Sequence, residues 1–256
     1  MTLLNNIRTG NISSSEIVGL TTNGRTKDSF GAPFYTYVDE CIMERFFKHK
    51  LENETDVKAF SWGKMCEVIV HDLLPTDYVM QCEETEQHPI FKEWCGTPDA
   101  LKFIDGKCDT ITDTKCPLTR KGFYNLIKRL YDFDGLTVSK KDNVDGNQII
   151  QMIREDSKEG EKYYWQLVSN ACILGAKYAE LIVFMPYYED LETIKEYNRT
   201  LDEPYWLIER AKEGELPYIY KESGIENLNI IRFEVPQVDK DFLESRVISA
   251  INLINK

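Results

Sequence analysis

The stretch Gly96-Thr97-Pro98-Asp99-Ala100-Leu101-Lys102-Phe103-Ile104-Asp105-Gly106-Lys107-Cys108-Asp109-Thr110-Ile111-Thr112-Asp113-Thr114-Lys115-Cys116-Pro117 decides the fold of this chain. Asp99 to Ile104 and Cys108 to Cys116 read as two strands, and Asp105-Gly106 between them is a strong hairpin signal. Pro117 has no N–H to give to a ladder and ends the second strand. Side chains alternate along a strand, so Asp109, Ile111, Asp113 and Lys115 share one face, and Thr110, Thr112, Thr114 and Cys116 the other. Asp113 and Lys115 therefore point into the same space. A carboxylate there can hold a hard cation through oxygen. The lysine can orient or activate a water, or neutralise charge on a phosphorane-like transition state.

The hairpin register depends on its loop. A two-residue turn at Asp105-Gly106 places Asp99 opposite Thr112; a three-residue loop, Asp105-Gly106-Lys107 with Gly106 left-handed, places it opposite Asp113. Like charges directly opposite repel, but a shared divalent ion reverses the sign of that interaction. The second register is the one tied to metal binding, and it is the register expected here.

Working outward, helices are expected at Ser13 to Leu20, Tyr35 to Leu51 and Lys58 to Leu74, and a strand at Tyr78 to Glu83. After the hairpin come helices at Thr119 to Tyr131 and Tyr163 to Gly175, and a buried strand at Glu180 to Met185 that Pro186 stops. The last third reads as helix, strand (Ile230 to Glu234) and a final helix from Lys240 to Ile254. Val138 to Asn147 and Glu155 to Lys162 read as loops or a mobile flap. This order gives a mixed α/β core, not a regular doubly wound sheet.

Two helical positions join the hairpin carboxylates. Glu67 lies in a segment, Trp62 to Leu74, that is apolar nearly all round as a helix, where a carboxylate needs a cation partner or a metal. Gln166 shares a helical stripe with Tyr163, Asn170 and Lys177 and can hydrogen-bond a water or a phosphate oxygen. Each signal has an ordinary counterpart. Asp113 and Lys115 alone fit a solvated strand face; Asp99 after a proline fits a turn; Glu67 fits a simple pair with Arg or Lys. Ser13, Ser14 and Ser15 fit N-caps, and His71 fits a structural or solvated histidine. The combination and its order carry the weight.

Composition narrows the classes. No stretch of about 18 uncharged apolar residues exists, so no membrane span is expected, and Met1 to Asn6 lacks the pattern of a secretory signal. The seven scattered cysteines form no C-x-x-C pair, which argues for reduced thiols in a cytoplasmic protein and against zinc or an iron–sulfur cluster. The net charge of −12 argues against a generic nucleic-acid coat. Contact with DNA then needs metal ions and a local basic groove, for which Arg8, Arg25, Lys27, Lys64, Arg120, Lys121 and Lys128 are candidates.

The helix glutamate, the Pro-Asp, the D-x-K and the helix glutamine, in that order, resemble the PD-(D/E)xK nuclease superfamily. More narrowly they resemble the phage-type recombination exonucleases, the lambda exonuclease and YqaJ-like group. The matching stretches are Ile7 to Glu16, Ser61 to Glu67, Gly96 to Ala100, Thr112 to Pro117 and Tyr163 to Gln166. The resemblance implies a restriction-endonuclease-like α/β (α+β) core, a central mixed sheet flanked by helices. It implies one nuclease domain over 1–256: a DNA-end-binding part at 1–56, a catalytic core at 57–190 and an extension at 191–256. It further implies Asp99 and Asp113 as ligands of Mg2+ (or Mn2+), Glu67 at the metal directly or through water, Lys115 as the catalytic lysine, Gln166 beside them, and Arg8 and Ser15 gripping a 5′-phosphate. The activity so implied is digestion of duplex DNA from 5′ ends, beside a single-strand annealing protein and in some relatives as a ring-shaped trimer. Asp113 stands where many relatives carry Glu. Two rivals stay open: an endonuclease of the same superfamily, and a non-catalytic nuclease-like binding protein, which the acidic charge would suit.

Overall fold

The hairpin forms, and the register that brings Asp99 to Asp113 is reached by an unexpected route. Asp105 and Gly106 both take positive φ (50° and 74°) in a two-residue turn that pairs Ile104 with Lys107, the left-handed pair a tight hairpin turn requires. The ladder then shifts: Phe103 pairs with Cys108, but Lys102 pairs with Thr110. Asp109 is the extra residue of a β-bulge. Beyond it Ala100 faces Thr112, which brings Asp99 level with Asp113. The expected three-residue loop is thus replaced by a shorter turn and a bulge that supplies the missing residue. The bulge also removes Asp109 from the face of Asp113. Its carboxylate accepts from Thr110 Oγ1 (2.8 Å) and pairs with Arg232 (3.2 Å), which also donates to Thr110.

The computed structural model describes residues 7–26, 29–51, 57–80, 84–135, 137–212 and 214–256. Its strands are β1 (Ile12–Ser13), β2 (Val79–Met80), β3 (Glu86–Gln87), β4 (Trp94–Gly96), β5 (Ala100–Ile104), β6 (Lys107–Lys115), β7 (Tyr131–Asp134), β8 (Thr137–Lys140), β9 (Tyr178–Phe184) and β10 (Leu228–Glu234). Its helices are α1 (Val18–Thr21), α2 (Ala32–Phe47), α3 (Val57–Leu73), α4 (Arg120–Ile127), α5 (Gly146–Asp156), α6 (Lys158–Leu174), α7 (Asp190–Thr200), α8 (Trp206–Glu209) and α9 (Gln237–Ile254).

The central sheet runs β10-β9-β6-β5-β2, with β6 and β9 parallel and the other pairs antiparallel. It is the mixed sheet expected. Alternate residues of β9 divide between two cores. Leu181 and Val183 meet Ile111, Phe233 and the inner face of α6 (Tyr164, Leu167, Val168). Ile182 and Phe184 meet Trp62, Met65, Cys66 and Val70 of α3 and Ile194 of α7. Helices thus cover both faces.

The expected N-terminal helix from Ser13 to Leu20 shrinks to α1. Ile12 and Ser13 instead pair in parallel with Trp94 and Cys95 in a small sheet, β1-β4-β3. Backbone pairing outweighs the N-cap preference of the three serines. The stretches read as loops are also structured. Asp145 caps α5 by accepting from Asn147 N (2.9 Å), and Ile149, Ile150 and Ile153 form its buried stripe. Ser157 caps α6 (Gly160 N to Oγ, 3.0 Å). A Cβ on Gly160 would lie 1.9 Å from the Ile153 carbonyl oxygen, so glycine lets the two helices meet. The helix expected to run from Thr119 to Tyr131 gives way to a 3-10 turn at Lys128–Leu130 and to β7. Of the strand expected from Tyr78 to Glu83, β2 is formed and 81–83 lie outside the described residues, as do Lys27 and Cys82. The six described cysteines are free thiols, and no helix of the described chain is long and apolar enough to cross a membrane.

Candidate active site

β6 ends at Lys115 between α3 on one face of the sheet and α6 on the other, and the site is built from all three. Asp113 is 2% exposed. Its Oδ1 accepts from Gln166 Nε2 at 2.7 Å, and its Oδ2 lies 2.6 Å from Lys115 Nζ. The Gln166 amide oxygen accepts in turn from Lys115 Nζ at 3.3 Å. One amide thus holds the carboxylate with its N–H and the ammonium with its oxygen. The Lys115 ammonium also stands 4.9 Å from the centre of the Tyr163 ring, at cation–π distance. Asp99, carried by the β4–β5 connection, accepts from Thr114 N at 2.5 Å.

The electrostatics follow from this crowding. Burial, and then the neighbouring Asp113 carboxylate, push the Asp99 carboxyl up to about 7. Burial works against the charge of Lys115, but Asp113 and Asp99 outweigh it and hold its pKa above the ordinary lysine value. Lys115 is therefore a cation at neutral pH, a donor of charge and hydrogen bonds. Of the two roles its sequence position allowed, charge stabilisation fits better than proton abstraction.

Glu67 lies on α3 with its Oε2 3.2 Å from Lys64 Nζ. Both line two adjoining clefts. One, of about 190 Å3, runs past Val68, His71, Thr97, Pro98 and Asp99. The other, of about 450 Å3, runs past Thr114, Lys115 and Pro117 to Thr119 and Tyr163. His71, read from sequence as structural or solvated, stands in the wall of the Asp99 cleft. The available signal was its spacing: four residues after Glu67 puts both on one helix face.

The donor set suits a divalent cation. Two carboxylates, Asp99 and Asp113, stand side by side at the end of β6, and the buried Asp113 Oδ2 is met by the Lys115 ammonium at 2.6 Å. Oxygen donors are what Mg2+ and Mn2+ take. Among the described residues no three Asp, Glu, His or Cys side chains stand gathered at ligand spacing, and Glu67 pairs with Lys64.

Of the two residues matched to a phosphate grip, Arg8 reaches Thr97, while Ser15 contacts its neighbour Ser13. Arg8 donates to Thr97 Oγ1, two residues before Asp99, and Thr97 meets Thr85 at 3.1 Å. Ser15 Oγ lies 3.0 Å from Ser13 Oγ, and Ser14 Oγ 2.8 Å from Ser169 Oγ on α6. Among the other basic candidates, Lys128 pairs with Asp156 (2.9 Å), and Arg120 donates to the Tyr218 carbonyl (2.9 Å).

No family model matches this chain, and no curated protein matches it in sequence. Solved structures share its fold. An alkaline exonuclease (LHK-Exo) from Laribacter hongkongensis aligns over 97% of this chain and 89% of its own, at a TM-score of 0.55 and 13% identity. The same exonuclease in complex with dAMP aligns to the same extent. A phage related exonuclease from Haemophilus somnus 129PT aligns over 96% of this chain and 93% of its own, at a TM-score of 0.57 and 12% identity. The likeness is one of fold, and it is the nuclease-type mixed α/β fold that the resemblance implied.

Proposed function

We propose that this chain is a divalent-metal-dependent DNA exonuclease that hydrolyses one strand of a duplex from its 5′ end. The observation that carries the reading is the Gln166 bridge between Asp113 and Lys115, with Asp99 beside them, in a fold shared with two exonucleases.

In this reading Asp99 and Asp113 hold Mg2+ or Mn2+, with Glu67 turning from Lys64 to assist. The ion's chemistry there is to polarise a phosphodiester oxygen and to acidify water. Gln166 fixes the orientation of Asp113 and of Lys115 together. The Lys115 ammonium donates to the phosphoryl oxygens as charge builds in the transition state, where a preorganised cation counts most. Asp99 must lose the proton that its crowded setting favours, so metal occupancy and proton release are linked. Arg8, beside Thr97, supplies positive charge toward a terminal 5′-phosphate, with Ser15 on the same segment.

The test is digestion of a linear duplex, end-labelled on either strand, with and without Mg2+, beside a covalently closed circle. Shortening of the linear substrate only with metal, from the 5′ label, with the circle intact, is expected. A nicked circle would make the protein an endonuclease, and inertness toward both substrates in Mg2+ and Mn2+ would refute the enzymatic reading.

A further inference from the structure

β6 and β9 are parallel, with Lys115 opposite Val183. Both strands therefore leave the sheet at the same end, and the chain that follows Phe184 emerges beside the site. There Tyr188 N donates to the Ile219 carbonyl (2.9 Å) and Ile219 N to the Pro186 carbonyl (3.0 Å). This pairing gathers three tyrosines. The Tyr188 and Tyr218 ring centres are 5.0 Å apart, Tyr218 and Tyr220 5.3 Å, and Tyr188 and Tyr220 5.8 Å. Tyr218 and Tyr220 meet nearly at right angles (81°), and Tyr188 and Tyr220 stay 38% and 53% exposed.

Arg120 ties this cluster to the candidate site. It begins α4 directly after the Lys115–Thr119 wall of the larger cleft. Its guanidinium lies 4.6 Å from the Tyr218 ring centre and donates to the Tyr218 carbonyl. The surroundings are otherwise acidic or mixed: Glu189 follows Tyr188, and Lys221-Glu222 follows Tyr220. Phosphate attraction alone would hold a nucleic acid poorly on such a surface. Ring faces hold bases without needing positive charge, and every base has a face to offer.

We propose that Tyr188, Tyr218 and Tyr220, with Arg120, form a stacking platform for unpaired bases of single-stranded DNA, tied to the candidate active site through Arg120 at the end of the Lys115–Thr119 wall. The choice of DNA as occupant rests on the nuclease reading. The platform is a holding surface: it keeps the strand exposed by digestion, or the frayed end about to enter, against the protein between turnovers.

The test is binding of a fluorescein-labelled short oligothymidylate by the full chain in EDTA, followed by anisotropy, beside an abasic strand of equal length and charge. The wild-type protein is expected to bind the thymidylate about tenfold or more tighter than the abasic strand. The double variant Tyr188→Ala/Tyr220→Ala is expected to lose that preference, and Tyr188→Phe/Tyr220→Phe to keep it. Should the alanine pair unfold, Tyr220→Ala alone, at the most exposed ring, carries the same test. Equal binding of both strands by the wild type, or an unchanged preference in a folded alanine variant, overturns the platform. Base-dependent binding by a chain that cuts no DNA would leave the platform standing and retract the proposed reaction; cutting without base-dependent binding would do the reverse.

Discussion

Burial, and then the Asp113 carboxylate beside it, keep Asp99 from ionising readily, and this has a measurable consequence. The ordinary Asp value is 3.8, and in the fold Asp99 is raised to about 7. Between those values the folded chain keeps a proton that the unfolded chain has lost, so stability of the metal-free protein falls as pH rises through that window. Thermal melts in EDTA at pH 5 and pH 8 should show the lower Tm at pH 8, and Asp99→Asn should remove most of the difference. A wild-type Tm that is flat or rises with pH would contradict this account of Asp99. Gln166 makes its own prediction, because it bridges Asp113 and Lys115. Gln166→Ala should lower metal-dependent cleavage by about 10–100-fold with the fold intact, as loss of a supporting partner to metal ligands typically does. Undiminished cleavage would show that the bridge does not matter. At this scale the sequence was informative. Strand alternation and helical spacing led to Asp99, Asp113, Lys115 and Gln166, and the fold brings all four together. The Lys64–Glu67 pair, three residues apart on α3, also follows from helical spacing; what the sequence left open was that His71 would line the Asp99 cleft, which depends on how α3 is set against the sheet.

Among the elements, the hairpin shows how a register can be read correctly for the wrong local reason. Periodicity and charge argued for Asp99 opposite Asp113, but Asp-Gly in a tight turn offsets the strands by one residue, and the bulge at Asp109 restores them. A bulge leaves little trace in sequence, since Asp109 earns its place through Arg232, on a strand more than a hundred residues away. α5 escaped notice for a different reason. Its apolar stripe is only Ile149, Ile150 and Ile153, set among polar residues between two stretches that read as loops. The contact between α5 and α6 is tight at Gly160, where an added methyl meets a backbone carbonyl that cannot yield without separating the helices. Gly160→Ala should therefore destabilise the protein by about 1–3 kcal/mol, read as a drop in Tm. Because α6 also carries Gln166, the activity of the folded fraction should fall too. A Tm equal to wild type would mean that the helices meet less closely than described.

Across the whole molecule, an acidic chain with net charge −12 keeps its carboxylate pair at the end of a mixed sheet. A cation that binds only the folded state must stabilise it. Mg2+ should raise the Tm of the wild type at neutral pH, and Asp113→Asn should abolish the rise; equal rises in both would place the ion elsewhere. Residues beyond about 190 were the least legible, because their meaning is set by distant partners. β10 finds its place only against β9, and the tyrosines at 218 and 220 only against Tyr188. The position of β10 bears on how the protein is made. Every group of the candidate site, from Arg8 to Gln166, leaves the ribosome before β10 and α9, whose Ile231, Phe233, Leu243 and Val247 complete the larger core. A nascent chain that already holds those groups still has an open sheet edge along β9 and lacks the last side chains of the larger core. Vectorial synthesis therefore delivers the residues of the candidate site ahead of the strand and helix that complete the core beneath them.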